Sequence, residues 1–311
     1  MSGIHHVTAI SGDPVKNLRF YTRDLGLRFV KKTVNFDDPS TYHFYFGDET
    51  GRPGTILTFF AWTNATAGQR GVGEASQTTF RVPLASIDYW TDRFIKKGIS
   101  YQTPRKHFGE TVLPFTDQDG MALTLVGIAG AEKEPGWSNG DILAEHAIRG
   151  LQGVTLLLES AEKTAAILTD VFGFREAGRE ETTIRFAVPG DGKGSVVEIH
   201  EAAEVPRHHQ GRGSVHHIAF RAADDAQQAQ MSENLIRDHA RHPTDQKDRN
   251  YFRSIYFREP GGVLFEIATD IPGFAVDEPV EALGRDLKLP KFLEPRRKEI
   301  EGILPILETA G

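Results

Sequence analysis

The chain repeats itself. Laying Gly3-Ile4-His5-His6-Val7 on Gly150-Leu151-Gln152-Gly153-Val154 carries Asp24-Leu25-Gly26-Leu27-Arg28-Phe29 onto Val171-Phe172-Gly173-Phe174-Arg175-Glu176 without a gap, because Gly26 and Gly173 each lie 20 residues after the aligned His6 and Gly153. A repeat constrains the fold strongly, since each copy must be a unit that buries its apolar face against another. Between these landmarks Asp13 to Asp24 and Ala161 to Val171 carry helical spacing, and the Gly that follows each suits a helix C-terminus. Strand-like runs follow at Tyr42 to Phe46, Gly54 to Phe60, Thr183 to Val188 and Gly194 to His200. Thr78 to Val82, the helical Leu84 to Lys97, Thr111 to Phe115 and Met121 to Val126 repeat the scheme. So do Val215 to Arg221, the helical Ala223 to Asp238, Arg253 to Phe257 and Gly262 to Thr269. The expected fold is α+β, four β-α-β-β-β modules. Residues 1–128 form an N-terminal half with modules 1–62 and 75–128. A Gly-, Pro- and charge-rich linker covers 129–145, and a C-terminal half, 146–272, holds modules 146–204 and 213–272. A tail, 273–311, is expected to pack a helix from Arg296 to Leu307 on the body through Ile300, Ile303 and Leu307.

Composition excludes several kinds of chemistry. There is no cysteine, so disulfides, thiolate zinc sites, iron–sulfur clusters and cysteine nucleophiles are out, and any metal must be held by nitrogen and oxygen. The net charge of −7, with cations scattered among anions, gives no basic footprint for nucleic acid or an anionic membrane. No apolar run has transmembrane length, and no signal peptide is evident, so a cytoplasmic protein acting on small molecules is expected. A homo-oligomer is left open.

Two His-His pairs, His5-His6 and His216-His217, sit in apolar strand-like runs, so one imidazole of each pair points to each face. A third run, Gly261 to Ala268, sets Glu266 among apolar residues, where a carboxylate needs a partner or a metal. At the first-strand position module one offers His6 and module four His217, against Phe80 in module two and Gly153 in module three. At the last-strand position module four offers Glu266, against Thr58, Thr124 and Glu198. Only modules one and four together complete a set of two His and one carboxylate, which leaves coordination positions open and suits non-heme Fe(II), with Mn(II) as the other ion it accepts.

These residues resemble a known family. The modules, Phe20-Tyr21-Thr22-Arg23-Asp24-Leu25-Gly26-Leu27 and the triad are similar to the vicinal oxygen chelate (glyoxalase/bleomycin resistance/extradiol dioxygenase) superfamily, and within it to the para-hydroquinone ring-cleaving dioxygenases. The matching stretches are Ile4-His5-His6-Val7-Thr8, Phe29-Val30-Lys31-Lys32-Thr33, Tyr42-His43-Phe44-Tyr45-Phe46, Asp248-Arg249-Asn250-Tyr251-Phe252 and Pro260 to Glu266. The resemblance implies two barrel-like domains of paired modules, with the metal in the module one and four pair, on His6, His217 and Glu266. It also implies supporting or catalytic roles for His5, Thr8, His216, Arg249 and Tyr256, and insertion of both atoms of O2 into a hydroquinone-type ring. A catechol extradiol dioxygenase would resemble the chain too, but such enzymes usually take all three ligands from the C-terminal half, where Gly153 stands in place of the first His. A glyoxalase-like isomerase generally uses a second carboxylate where Thr58 stands. A binding or sequestering protein of the same fold would not need the triad.

His5 and His216 either pack on the opposite face or, given a backbone irregularity, join the metal site. Tyr256 is either core or site, and Arg249 either a surface charge or site. Glu198 aligns with a ligand position but without the imidazoles of the aligned first-strand positions, and it reads as a surface or buried hydrogen-bonded carboxylate. His208 and His209 read as solvated, and His43 as a residue able to line the cavity.

Overall fold

A computed structural model describes residues 3–190 and 192–307. Module one runs β1 (Ile4–Ser11), α1 (Pro14–Arg19), β2 (Arg28–Val34), β3 (Tyr42–Gly47) and β4 (Ile56–Ala61). Module two runs β5 (Glu74–Pro83), α2 (Ile87–Lys97), β6 (Arg105–His107), β7 (Glu110–Thr116) and β8 (Ala122–Ile128). Module three runs β9 (Gly150–Leu158), α3 (Glu162–Asp170), β10 (Arg175–Glu180), β11 (Thr183–Ala187) and β12 (Val196–Glu201). Module four runs β13 (Val215–Ala222), α4 (Asp225–His239), β14 (Lys247–Asp248), β15 (Arg253–Arg258) and β16 (Leu264–Thr269). The expected four-module scheme is what the chain adopts.

Helices start and stop where local chemistry favours it. The Asp13 carboxylate accepts from the Val15 and Lys16 backbone at the start of α1, whose Pro14 suits the first turn. A π-helical turn, Phe20–Asp24, continues α1, and Gly26 then takes the left-handed conformation (φ +72°), as Gly173 does after α3 (φ +71°).

The modules pair out of sequence order. One eight-stranded sheet runs β14-β15-β16-β13-β1-β4-β3-β2, joining modules four and one. The other runs β10-β11-β12-β9-β5-β8-β7-β6, joining modules three and two. Each is a curled half-barrel whose central seam is one antiparallel pair, β1 with β13 and β5 with β9.

Both seams are irregular in the same way. On β1 and β13, Ile4 pairs with Phe220 and His6 with Ala219, then Thr8 with His217 and Ala9 with Val215, so His5 and His216 are each an extra residue in a β-bulge. On β5 and β9 the extra residues are Ser76 and Gln152. This register corrects one expectation. Gln77, paired with Thr155, holds the place in module two that His217, paired with Thr8, holds in module four. Phe80 corresponds instead to Phe220.

The tail is strapped to the edge of the first sheet. Leu287 bridges to Lys32, and the fully buried Lys31 ammonium meets Asp277 at 2.6 Å and also Glu278. The tail helix is α5 (Arg297–Ile303), shorter than expected because Leu304 turns extended. It packs through buried Ile300, with Leu304 after it, and a partly buried Leu307 also packs on the core. Ile303 faces solvent at 54% exposure, against expectation, since it lies on the side of the helix away from the body. Residues 308–311 of the tail lie outside the described residues.

Candidate metal centre

The sheet register builds the site. His6 lies beside Ala219, Ala219 beside Glu266, and Glu266 beside Tyr256, so these four share one row across β1, β13, β16 and β15. The next row holds His217, Thr8, Thr58 and Tyr45 across β13, β1, β4 and β3. Small Ala219 opposite His6 leaves room for the two imidazoles and the carboxylate to converge. The ligand atoms of His6, His217 and Glu266 lie within 4.8 Å of one another, and all three residues are buried. Glu266 Oε2 stands 2.9 Å from His217 Nε2 and 3.4 Å from His6 Nε2. Burial works to raise the Glu266 pKa, but the two imidazoles hold it well below the usual carboxylate range.

The donor set fits a divalent metal. Apart from those imidazole contacts, Glu266 Oε2 is a buried oxygen with no hydrogen-bond donor, while Oε1 accepts from the Ser254 hydroxyl. A carboxylate anchored through one oxygen, with the other aimed between two imidazole nitrogens, is the arrangement that orients a ligand.

The bulges settle the two remaining histidines. His5 Nδ1 lies 2.9 Å from His6 Nδ1, and His216 Nδ1 lies 2.7 Å from His217 Nδ1. Each bulge histidine therefore engages the ring nitrogen opposite the one that faces the site. Burial keeps both neutral, pushing His5 well below its usual range and His216 down to about 3. Thr8 accepts from the Thr58 hydroxyl at 2.8 Å, both groups being buried.

A cavity of about 390 Å³ opens on the triad, and its wall includes His43, Tyr45, Phe60, Trp62, Arg249 and Tyr256. Arg249 donates through Nε to the Tyr256 hydroxyl at 3.1 Å and through Nη2 to Asp37 at 3.0 Å, and the Tyr256 ring lies 5.8 Å from that of His217. Burial and nearby Glu266 push the Tyr256 phenol above its usual range, so it keeps its proton. The eight residues for which the resemblance implies ligating or supporting roles thus gather around one point.

Ser254, Tyr45 and Asp37 also take part, and the sequence reading gave none of them a role. Ser254 is in phase with Tyr256 on β15, and a hydroxyl alternating with apolar residues was the available signal. Tyr45 could have been placed by its phase with His43 on β3. Asp37 sits on the loop after β2, where no periodicity exists to read.

The other sheet has a cleft of about 580 Å³ with different chemistry. Glu198 is buried there, as one alternative held, and bound by Arg185 (2.9 and 2.7 Å), His107 (3.1 Å) and Thr155 (3.1 Å). The place of His6 is taken by Gly153, where an added Cβ would lie 2.1 Å from the Val196 carbonyl oxygen.

The model of the Glyoxalase/Bleomycin resistance protein/Dioxygenase superfamily matches residues 3–125 and 150–267. The chain belongs to that superfamily. Among superfamily relatives, a Bacillus subtilis (strain 168) protein carrying the provisional name ring-cleaving dioxygenase MhqO is 45% identical over 308 residues, covering 97% of this chain and 96% of its own. Chlorohydroquinone/hydroquinone 1,2-dioxygenase from Sphingobium indicum is 32% identical over 306 residues, covering 96% and 95%. A crystal structure of a provisionally named dioxygenase from Bacillus subtilis matches with a TM-score of 0.94 at 44% identity, covering 99% of this chain and 97% of that one. No helix among the described residues is long and apolar enough to cross a membrane.

Proposed function

We propose that this superfamily member is a cytoplasmic, Fe(II)-dependent ring-cleaving dioxygenase that inserts both atoms of O2 into a hydroquinone-type ring. The observation that carries the reading is a buried two-His, one-carboxylate set at the floor of a cavity walled by aromatic rings. Full-length relatives named as ring-cleaving and hydroquinone dioxygenases support it.

When bound by His6, His217 and Glu266, Fe(II), or Mn(II) in its place, supplies Lewis acidity toward a phenolic oxygen and the one-electron chemistry through which ground-state O2 can react with a ring. The chain's own residues do the rest. His5 and His216 hold the ligating imidazoles in orientation through their Nδ1 contacts, and Ser254 holds Glu266. Thr8 braces the row beside His217 through Thr58. Arg249, permanently cationic, offsets negative charge as it develops on the opening ring. Because its Nε–H already fills one acceptor site on the Tyr256 oxygen, the phenolic proton of Tyr256 is directed elsewhere and is available as an acid toward the cavity.

The rival chemistries find less support. Thr58, where an isomerase generally has a second carboxylate, directs its hydroxyl to Thr8 and not to the triad. Gly153 has no room for a side chain, so the C-terminal ligand set usual for catechol enzymes has no counterpart.

The test is anaerobic reconstitution with Fe(II), followed by oxygen-electrode assays against hydroquinones and catechols in parallel. Stoichiometric oxygen uptake with faster turnover of hydroquinones is the expected result. Catechols turning over with much higher kcat/KM would move the substrate class, and no oxygen uptake with any dihydroxybenzene would end the dioxygenase reading.

A further inference from the structure

Two loops from opposite ends of the first sheet meet at the cavity. Asp37 lies on loop 35–41 after β2 and Arg249 directly follows β14, and these two strands are the edges of the sheet. Both residues line the cavity, where Asp37 Oδ2 accepts from Arg249 Nη2 at 3.0 Å. Loop 35–41 is held in shape by its own groups. The Asn35 N–H donates to the Thr41 carbonyl at 2.8 Å, and the Asn35 side-chain oxygen accepts from the Asp37 N–H at 3.0 Å. Asp38 has both carboxylate oxygens engaged, Oδ1 by the Ser40 hydroxyl at 2.6 Å and Oδ2 by the Thr41 hydroxyl at 2.8 Å and Trp62 Nε1 at 3.3 Å. Of the two carboxylates on the loop, Asp37 is the one left to face Arg249.

The other end of the guanidinium is anchored on Tyr256, whose hydroxyl oxygen accepts from Arg249 Nε at 3.1 Å. A single N–H contact lets a planar guanidinium swing about that bond, whereas a second contact on Nη2 fixes its plane. The Asp37 side chain is 64% exposed, so the ion pair itself adds little to stability. Its effect lies in where it puts the cation. We propose that Asp37 is a positioning residue, which holds the Arg249 guanidinium in the plane that serves the Tyr256 hydroxyl and the charge developing on the opening ring. The proposal rests on the dioxygenase reading for the reaction and adds a residue that acts on it through Arg249.

Asp37→Ala in the Fe(II)-loaded enzyme should lower kcat about fivefold with KM within twofold of wild type, the upper end of what an exposed ion pair contributes. Iron content and the urea midpoint should stay at wild-type values. In an Arg249→Met background the same substitution should change kcat by less than about twofold, because a residue that acts only through Arg249 has nothing left to act on. An equal loss in both backgrounds would overturn the proposal, as would a rise in KM at unchanged kcat or a loss of iron or stability that accompanies the fall. A second readout is independent of turnover. Solvent exchange of the Arg249 Nε–H, followed by NMR on arginine-labelled full-length protein and identified by its absence in Arg249→Met, should quicken at least about fivefold in Asp37→Ala. Exchange as slow as in wild type would overturn the proposal, and so would a wild type with no protected Arg249 signal. A wild type that takes up no oxygen would defeat the dioxygenase reading and leave Asp37 to be judged on this exchange.

Discussion

At the residue scale the site depends on a few atoms held at fixed positions. His6→Ala, His217→Ala and Glu266→Ala should each lose bound metal and nearly all activity, because two remaining ligands hold a divalent ion poorly. Glu198→Ala should retain the metal, since its carboxylate is engaged by Arg185 and His107 in the other sheet. Metal analysis of the purified variants checks this, and full iron occupancy in His6→Ala would refute the placement of the metal in the module one and four pair. Ser254→Ala removes the donor to Glu266 Oε1 and should weaken metal affinity about 10- to 100-fold with little change in fold, measurable by competition with a chelator. Tyr256→Phe and Arg249→Lys address the chemistry. Loss of a proton donor or a preorganised hydrogen bond should lower kcat by roughly one to three orders of magnitude while iron content stays near wild type. If both variants keep full kcat with every substrate, the two residues are structural.

At the element scale, the strands that sequence periodicity located are the inner ones. The four left without assigned ranges, β2, β6, β10 and β14, are the edges of the two sheets. β10 is mostly exposed, β6 is Arg-Lys-His, and β14 has two residues, so these three lack the alternation that burial of one face imposes. The two imidazoles and the carboxylate of the candidate site were legible because such groups are unusual in apolar strands. Their bulges were not, because a two-against-one register depends on the partner strand, and for the same reason Phe80 was aligned where Gln77 belongs. The tail was legible as a helix but not as a brace. Asp277 meets Lys31, Tyr251 and Asn250, and Phe274 packs on Tyr45, so the tail supports the cavity wall from behind. Asp277→Asn with Glu278→Gln leaves the Lys31 ammonium buried without a carboxylate and should cost about 3–5 kcal/mol in urea unfolding. Adding Lys31→Met should recover much of that loss. A double variant as stable as wild type would show that the buried ion cluster contributes nothing.

At the scale of the whole molecule, two sheets of the same design hold different contents. Both seams carry paired bulges, and both half-barrels enclose a cleft, but among the described residues only one gathers two imidazoles and a carboxylate within ligating distance. In the other, an Arg–Glu–His network occupies the corresponding floor. Gly153→Ala should therefore destabilise the protein by about 1–3 kcal/mol through overpacking against the Val196 carbonyl, while iron bound in the first sheet is unaffected. Thermal or urea unfolding alongside metal analysis tests both halves of that statement, and an undiminished unfolding midpoint would contradict it.

That missing side chain also has a historical meaning. A cleft that lacked only its ligands could acquire them one codon at a time, each intermediate folding as well as the last. Here the first step toward an imidazole at position 153 must push a strand aside before any ligand is gained. The two halves of the molecule can drift in sequence, but they cannot readily exchange occupations, so the division of labour between them behaves as a ratchet.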